Sequence, residues 1–453
     1  MRKVYILLLL LSLLCSARST AQKAQLLRGP YLQSATPNSI LIRWRTDAAT
    51  RSRVSYGTVA GHPEKTISDV ALVTEHIVKL EGLQPGTRYY YSIGGLKDTL
   101  QGAGDNYFTT LPLPGSTGYY RIGVFGDCGD LTIHQRQVRD AFRGYLGTTD
   151  LTAWILLGDN AYNDGTDAEY QAKFFNVYKD DLLKKYPVFP APGNHDYHDT
   201  DFSAAYAQNH HTTAYYQNFS MPVSGESGGV PSHNPAFYAF DIGNVHFLSL
   251  DSYGKEENRY YLYDTSGPQV QWVKKDLAAN RNKDWVVVYW HHPPYSMGTH
   301  NSDTDGNMRR IRENFIRILE KAGVDLVICG HSHVYERSGL LHGHYGKEAS
   351  FDASKHSFSQ GSGKDDGTAN SAPYIRNEHT KKGTVYVVSG SSSSVGQPEA
   401  AFPHDAMYYS NATVTGAGLL EVQGNRLDFK WICEDGVVRD HFTIMKNRLQ
   451  VTK

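Results

Sequence analysis

AWILLGDNAY, residues 153–162, is an apolar run that stops on a carboxylate, an amide and, three residues past the carboxylate, a tyrosine. The run from Ala153 to Leu157 has the composition of a buried strand. A turn explains Gly158, since glycine is a common turn residue, but not Asp159, Asn160 and Tyr162 together.

Four other apolar runs end in the same manner. RIGVFGDCG stops at Asp127, VFPAPGNHD at Asn194, His195 and Asp196, WVVVYWHHPPY at His291 and His292, and VDLVICGHSH at His331 and His333. Taken singly, each is an ordinary turn or a core histidine satisfying a hydrogen bond. Taken together they point to one site, because ligands in open αβ sheets bind beyond the carboxyl ends of the strands. Carboxylates, an amide oxygen, imidazoles and a phenol suit hard or borderline ions such as iron, zinc or manganese. Cys128 and Cys329 sit inside the strand sequence and are expected to pack. Seven donors exceed the needs of one tetrahedral ion, so two ions sharing a carboxylate are expected.

Working outward, the 453 residues exceed one ordinary core and predict two domains. The chain is 40% hydrophobic and 20% charged, with 31 tyrosines, which excludes disorder along its length. Residues 1–21 carry Arg2 and Lys3, an apolar run from Val4 to Leu14 and then small residues, the pattern of a secretory signal cleaved after Ala21. That run is too short to span a bilayer; Cys15 at its end raises the competing lipoprotein reading. The expected mature protein is secreted or periplasmic, with no stable membrane insertion. Without Arg2, Lys3 and Arg18 its net charge is −4, which offers no basic surface for nucleic acid. Cys128, Cys329 and Cys433 then form an odd set, read as buried thiols rather than a disulfide framework.

From Leu26 to Pro112 (domain 24–112) short alternating strands separated by Gly, Pro, Asn and Asp turns predict a β-sandwich of immunoglobulin or fibronectin type III kind. The segment GLQPGTRYYY, 82–91, resembles the fibronectin type III corner in which a tyrosine hydroxyl bonds back to the main chain. LPLPGSTG, 111–118, reads as a linker. Beyond it strands alternate with amphipathic helices, predicting an α/β domain over 119–447. Within that domain Ile311, Phe315, Ile318 and Leu319 form one buried helical stripe, and Gly343 to Pro373 reads as a long surface excursion.

The motifs DCG (127–129), GDNAY (158–162), GNHD (193–196), VYWH (288–291) and GHSH (330–333) occur in the order found in calcineurin-like metallophosphoesterases, and within them the chain resembles the purple acid phosphatases. The resemblance extends to the N-terminal sandwich and to FYAFDIGNVHFLSLDS (237–252). It implies a catalytic domain of two mixed sheets flanked by helices. It also implies a ferric ion held by Asp127, Asp159, Tyr162 and His333, and a divalent ion (Fe, Zn or Mn) held by Asp159, Asn194, His291 and His331. Tyr162 is the residue that marks the purple phosphatases. Two such ions against three anionic ligands leave a centre of about +2 that attracts a phosphate dianion and acidifies bound water.

By the same resemblance His195 orients the phosphoryl group or protonates the leaving oxygen, and His300 shares that role. Many relatives carry a second histidine after the latter, where this chain has Asn301. Asp196 is expected to orient an imidazole. The implied activity is an acid phosphomonoesterase acting on small phosphoesters, with a phosphodiesterase or a phytate- or nucleotide-directed enzyme as the alternative, and an inert binding protein as the rival of another class. The sequence leaves the oligomeric state open.

Overall fold

The computed structural model describes residues 24–102, 104–199, 201–359, 361–377 and 382–447; the expected signal segment, 1–21, lies outside the described residues. The N-terminal region is all strand: β1 (Leu26–Gln33), β2 (Ser39–Gly57), β3 (Lys65–Glu81), β4 (Arg88–Gly94), β5 (Thr99–Gln101) and β6 (Tyr107–Thr109). Every pairing among them is antiparallel, and the long β2 contacts β1, β3 and β4. Alternation along β4 buries Tyr89, Tyr91 and Ile93. The Tyr89 hydroxyl accepts from the Gln84 backbone N–H at 3.0 Å, so the tyrosine that bonds back to the main chain is Tyr89.

Among the described residues, the rest of the chain builds two seven-stranded mixed sheets and a two-stranded pair. Its strands are β7 (Tyr119–Phe125), β8 (Ala153–Leu157), β9 (Val188–Ala191), β10 (Tyr238–Ile242), β11 (Val245–Ser249), β12 (Trp285–Trp290), β13 (Leu326–Cys329), β14 (Tyr335–Ser338), β15 (Leu340–Leu341), β16 (Ser357–Ser359), β17 (Tyr374–Asn377), β18 (Val385–Ser389), β19 (Met407–Asn411), β20 (Gly416–Gln423), β21 (Arg426–Cys433) and β22 (Val438–Asn447). The first sheet runs β17-β22-β21-β20-β7-β8-β9 and ends in three parallel strands, β7 to β9. The second runs β10-β11-β12-β13-β18-β14-β19, with β11, β12, β13 and β18 parallel.

Side-chain alternation in β12 explains the layering. Trp285, Val287 and Tyr289 join the core shared with the first sheet, while Val286, Val288 and Trp290 face a second core under the helices. At the seam Phe189 of β9 stacks on Phe240 of β10 at 3.9 Å, and Phe240 on Phe247 of β11 at 4.8 Å. Hydroxyls of Tyr238 and Ser249 donate to the Pro190 carbonyl, and that of Tyr289 to the Phe189 carbonyl, so β9 is tied to the opposite sheet by rings and by hydrogen bonds.

One expectation is corrected. The helical segment Gly306–Arg310, Ile311–Phe315, Ile316–Ala322 has a π-helical middle, and the wider turn shifts the apolar face so that Ile316 is buried and Ile318 lies at the rim. The 343–373 excursion is mostly half-buried or exposed and holds the helix Ala353–His356 and β16, which pairs with β15. Cys128, Cys329 and Cys433 are buried and unbridged, as expected.

The N-terminal strands dock on the segment that follows GDNAY. Buried Arg28 donates to Asp167 at 3.0 Å and to the Gln171 side chain at 2.7 Å, and its guanidinium lies 4.2 Å from the Phe175 ring centroid. Arg45 also donates to Asp167 at 3.0 Å, and Tyr31 to the Asn218 carbonyl at 2.9 Å.

Candidate metal centre

All five motif turns converge. The first sheet delivers oxygen donors: Asp127 follows β7, Asp159 and Tyr162 follow β8, and Asn194 follows β9. The second delivers imidazoles: His291 follows β12, and His331 and His333 follow β13. Backbone at three of these ends lies in the left-handed region, with φ of 55° at Asp127, 51° at Asp159 and 68° at His331. Non-glycine residues adopt it at a cost, and such residues cluster at functional sites. The adjacent glycines leave room for donors from other strands. A Cβ on Gly193 would stand 2.2 Å from Asp159 Oδ1, and one on Gly330 would stand 2.4 Å from Asp127 Oδ2.

The donors form two groups that share one atom. Tyr162 Oη lies 3.0 Å from Asp127 Oδ1, 3.1 Å from Asp159 Oδ2 and 2.9 Å from His333 Nε2. His291 Nε2 lies 3.1 Å from Asp159 Oδ2, 3.1 Å from Asn194 Oδ1 and 3.2 Å from His331 Nδ1. One phenolic proton cannot serve three acceptors, nor can one imidazole proton. His291 Nδ1 faces the Leu157 carbonyl at 2.9 Å and donates to it, which directs the Nε2 lone pair into the second group. Donors bound to one cation at about 2.1 Å and at near right angles stand about 3 Å apart, and Asp159, His291 and His331 lie close enough to one another to hold an ion together.

Electrostatics agree. Burial alone would raise the Asp159 carboxyl, but the charge and hydrogen bond of His291 hold it below the usual range. Burial opposes protonation of His291, yet Asp159 and Asp127 lift it to about 9, so Nε2 binds a proton wherever no cation takes its place. Burial, followed by Asp127 and Asp159, pushes the Tyr162 phenol well up, so a phenolate here requires a cation. Burial, reinforced by His292 and His291, keeps His331 neutral, the ligating form. Its Nε2 is buried without a hydrogen-bond partner.

His195 stands beside Tyr162 and Asp159. Its Nδ1 donates to the Asn163 carbonyl at 2.5 Å, its ring packs 4.6 Å from Tyr162, and its Nε2 stands 4.0 Å from Asp159 Oδ2. His300 stacks on His331 at 3.8 Å. Asp196 does something other than expected. It accepts from the backbone N–H of Gly193 (2.7 Å) and of Asn160 (3.1 Å), and from the Tyr170 hydroxyl, so it locks two turns together and touches no imidazole. Burial raises it to about 7, with Asp159 adding to the effect.

Residues 390–394, GSSSS, went unread in the sequence. Ser392 Oγ accepts from Gly126 N–H at 3.2 Å, Ser393 Oγ donates to the Asp127 carbonyl, and Ser394 Oγ lies 3.4 Å from His333 Nδ1. The signal was an apolar strand, VYVVS, followed by glycine as β7, β8 and β13 are, but without a metal donor to draw notice.

Residues 120–335 match the calcineurin-like phosphoesterase family, and residues 29–110 match the purple acid phosphatase N-terminal domain. Purple acid phosphatase 15 of Arabidopsis thaliana is 30% identical over 59% of this chain and 50% of its own length. Acid phosphatase type 7 of Mus musculus is 26% identical over 66% of this chain and 68% of its own. The chain thus spans about half the length of the first of these relatives. Among solved structures, the yellow lupin purple acid phosphatase PPD1 superposes with a TM-score of 0.68 at 18% identity, covering 93% of this chain and 75% of that one. PhoD superposes at 0.64 and 14% identity, covering 95% and 94%. At such identities the superpositions speak to the fold.

Proposed function

Because the chain belongs to the purple acid phosphatase family, we propose that it is an extracytoplasmic acid phosphatase that hydrolyses small phosphomonoesters at a pair of metal ions. Following a leader at 1–21, residues 24–112 would support the catalytic domain at 119–447. The observation that carries the reading is the meeting of two donor groups at Asp159 Oδ2.

Asp127, Asp159, Tyr162 and His333 would hold a ferric ion, and Asp159, Asn194, His291 and His331 a divalent one. When bound, such a pair attracts the phosphoryl oxygens and acidifies water. The chain's own residues do the remainder. Asp159 places its Oδ2 between both groups and fixes their separation. His291, its Nδ1 proton given to Leu157, keeps Nε2 as a lone-pair donor. His195, anchored at Nδ1, holds Nε2 4.0 Å from Asp159 Oδ2, where it would give a proton to the leaving oxygen. His300, stacked on His331, would contact the phosphoryl group.

Metal analysis, a visible spectrum and rates on p-nitrophenyl phosphate and its bis ester test the proposal. Two metals per chain, a visible band lost in Tyr162→Phe and a preference for the monoester are expected. A band unchanged in Tyr162→Phe removes that residue from the ligand set, and a strong preference for the diester replaces the phosphomonoesterase.

A further inference from the structure

We infer that Arg312 is a positioning residue for His300: it closes the neck of the loop that carries this histidine and keeps the ring on His331. The inference rests on the role proposed for His300 above. His300 sits between β12 and the helix Gly306–Arg310, and its half-buried imidazole stacks on His331 at 3.8 Å. Two stacked rings can slide past one another, so where the imidazole stands follows from how its backbone is held.

That backbone closes on itself. Ser302 N–H donates to the Ser296 carbonyl at 2.9 Å, Met297 and Asn301 pair as an antiparallel bridge, and Asp305 N–H donates to the Asn301 carbonyl at 2.8 Å. Arg312, fully buried in the π-helical turn Ile311–Phe315, spans the base of the closed loop. Its Nη1 donates to the Pro294 carbonyl at 3.1 Å on the entering side, and to the Ser302 carbonyl and hydroxyl at 3.0 and 2.8 Å on the leaving side. Its Nη2 donates to Asp303 Oδ1 at 2.6 Å. Asp303 is also held from behind, because its Oδ2 accepts from Glu348 N–H at 3.0 Å, and Glu348 Oε1 accepts from Asp405 N–H at 2.9 Å.

One guanidinium thus ties both ends of the loop to a turn whose Ile311 and Phe315 belong to the core. A planar fork of N–H donors can bridge two carbonyls and a carboxylate at once, whereas an ammonium is a point charge on a flexible stem and cannot hold those directions together. Misplacing a reacting group by about 1 Å can cost about a hundredfold in rate.

A double-mutant cycle tests the inference. Arg312→Lys keeps a charge opposite Asp303 but loses the bridge, and kcat/KM for p-nitrophenyl phosphate is expected to fall about tenfold with metal content unchanged. In the His300→Ala background the same substitution should change kcat/KM by less than about twofold, because the residue it acts through is gone. A second readout is independent of turnover. In the protein as isolated, diethyl pyrocarbonate should modify His300, followed by peptide mass, about threefold faster in Arg312→Lys than in the wild type, while exposed His62 reacts at the same rate in both. Should Arg312→Lys fail to fold, Asp303→Asn, which weakens the clamp at a side chain 17% exposed, enters the same cycle and labelling with the same directions expected. Equal losses in both His300 backgrounds, or an unchanged labelling rate at His300, overturn the inference. Wild-type kcat/KM in His300→Ala removes His300 from the phosphoryl contact, and a wild type without turnover removes the phosphatase reading; either overturns the inference through its premise, whatever the labelling shows.

Discussion

His76 in the N-terminal sheet and Asp159 at the end of β8 are both buried polar groups, and their surroundings are opposites. His76 is satisfied one to one: Ser52 Oγ lies 2.8 Å from Nδ1, Thr46 Oγ1 lies 2.9 Å from Nε2, and Trp44 stacks flat on the ring at 4.6 Å. Burial pushes this imidazole down to about 4, and the neutral ring is a structural element. Around Asp159 and Tyr162 the acceptors outnumber the protons, the backbone is left-handed, and carboxylates crowd a phenol. A fully matched polar group reports a fold; an over-subscribed one reports a cation.

Asp159→Asn should break the comparison most severely. Removal of the shared charge is expected to lower phosphatase turnover by about a thousandfold or more, as for loss of a main electrostatic element, with loss of bound metal by elemental analysis. His195→Ala comes next, with turnover down about a hundredfold while both metals remain. Loss of the metals in that variant would move His195 into the ligand set. Arg28→Ala acts on the docking surface, where it strips Asp167 of a buried partner. Because Asp167 is 44% exposed and water recovers part of the loss, about 2–3 kcal/mol is expected in urea unfolding, below the cost for a fully buried pair.

The smallest effect is pH-linked. Between pH 6.5 and about 4 an unfolded chain takes up a proton at His76 that the folded chain refuses. The contribution is therefore complete above pH 6.5 and is lost as pH falls toward 4. Burial likewise holds His344 down to about 4 and His404 to about 3, which adds to the same slope. His76→Gln should flatten the decline of the urea midpoint between pH 7 and 4.5. An unchanged slope would mean that His76 is not the neutral element described.

Much of this was legible in the sequence because it was written in local pattern. Apolar runs closed by Gly-Asp, Gly-Asn and Gly-His named the strand ends, and the structure brings all seven expected donors together. What stayed hidden depended on non-local packing. Asp196 looked like an imidazole's partner because it adjoins His195, yet its bonds go to Gly193, Asn160 and Tyr170. Ile318 fits a 3.6-residue stripe, and only the π-helical turn before it moves Ile316 inward. The serines of 390–394 support the Asp127 turn from a strand distant in sequence, a relation without local signature.

The division of donors between layers has a mechanical consequence. Oxygen atoms come from one sheet and nitrogen atoms from the other, so each proposed cation would rivet the two layers, which already meet through the ring stack Phe189–Phe240. Chelation should then loosen the whole sandwich rather than one loop.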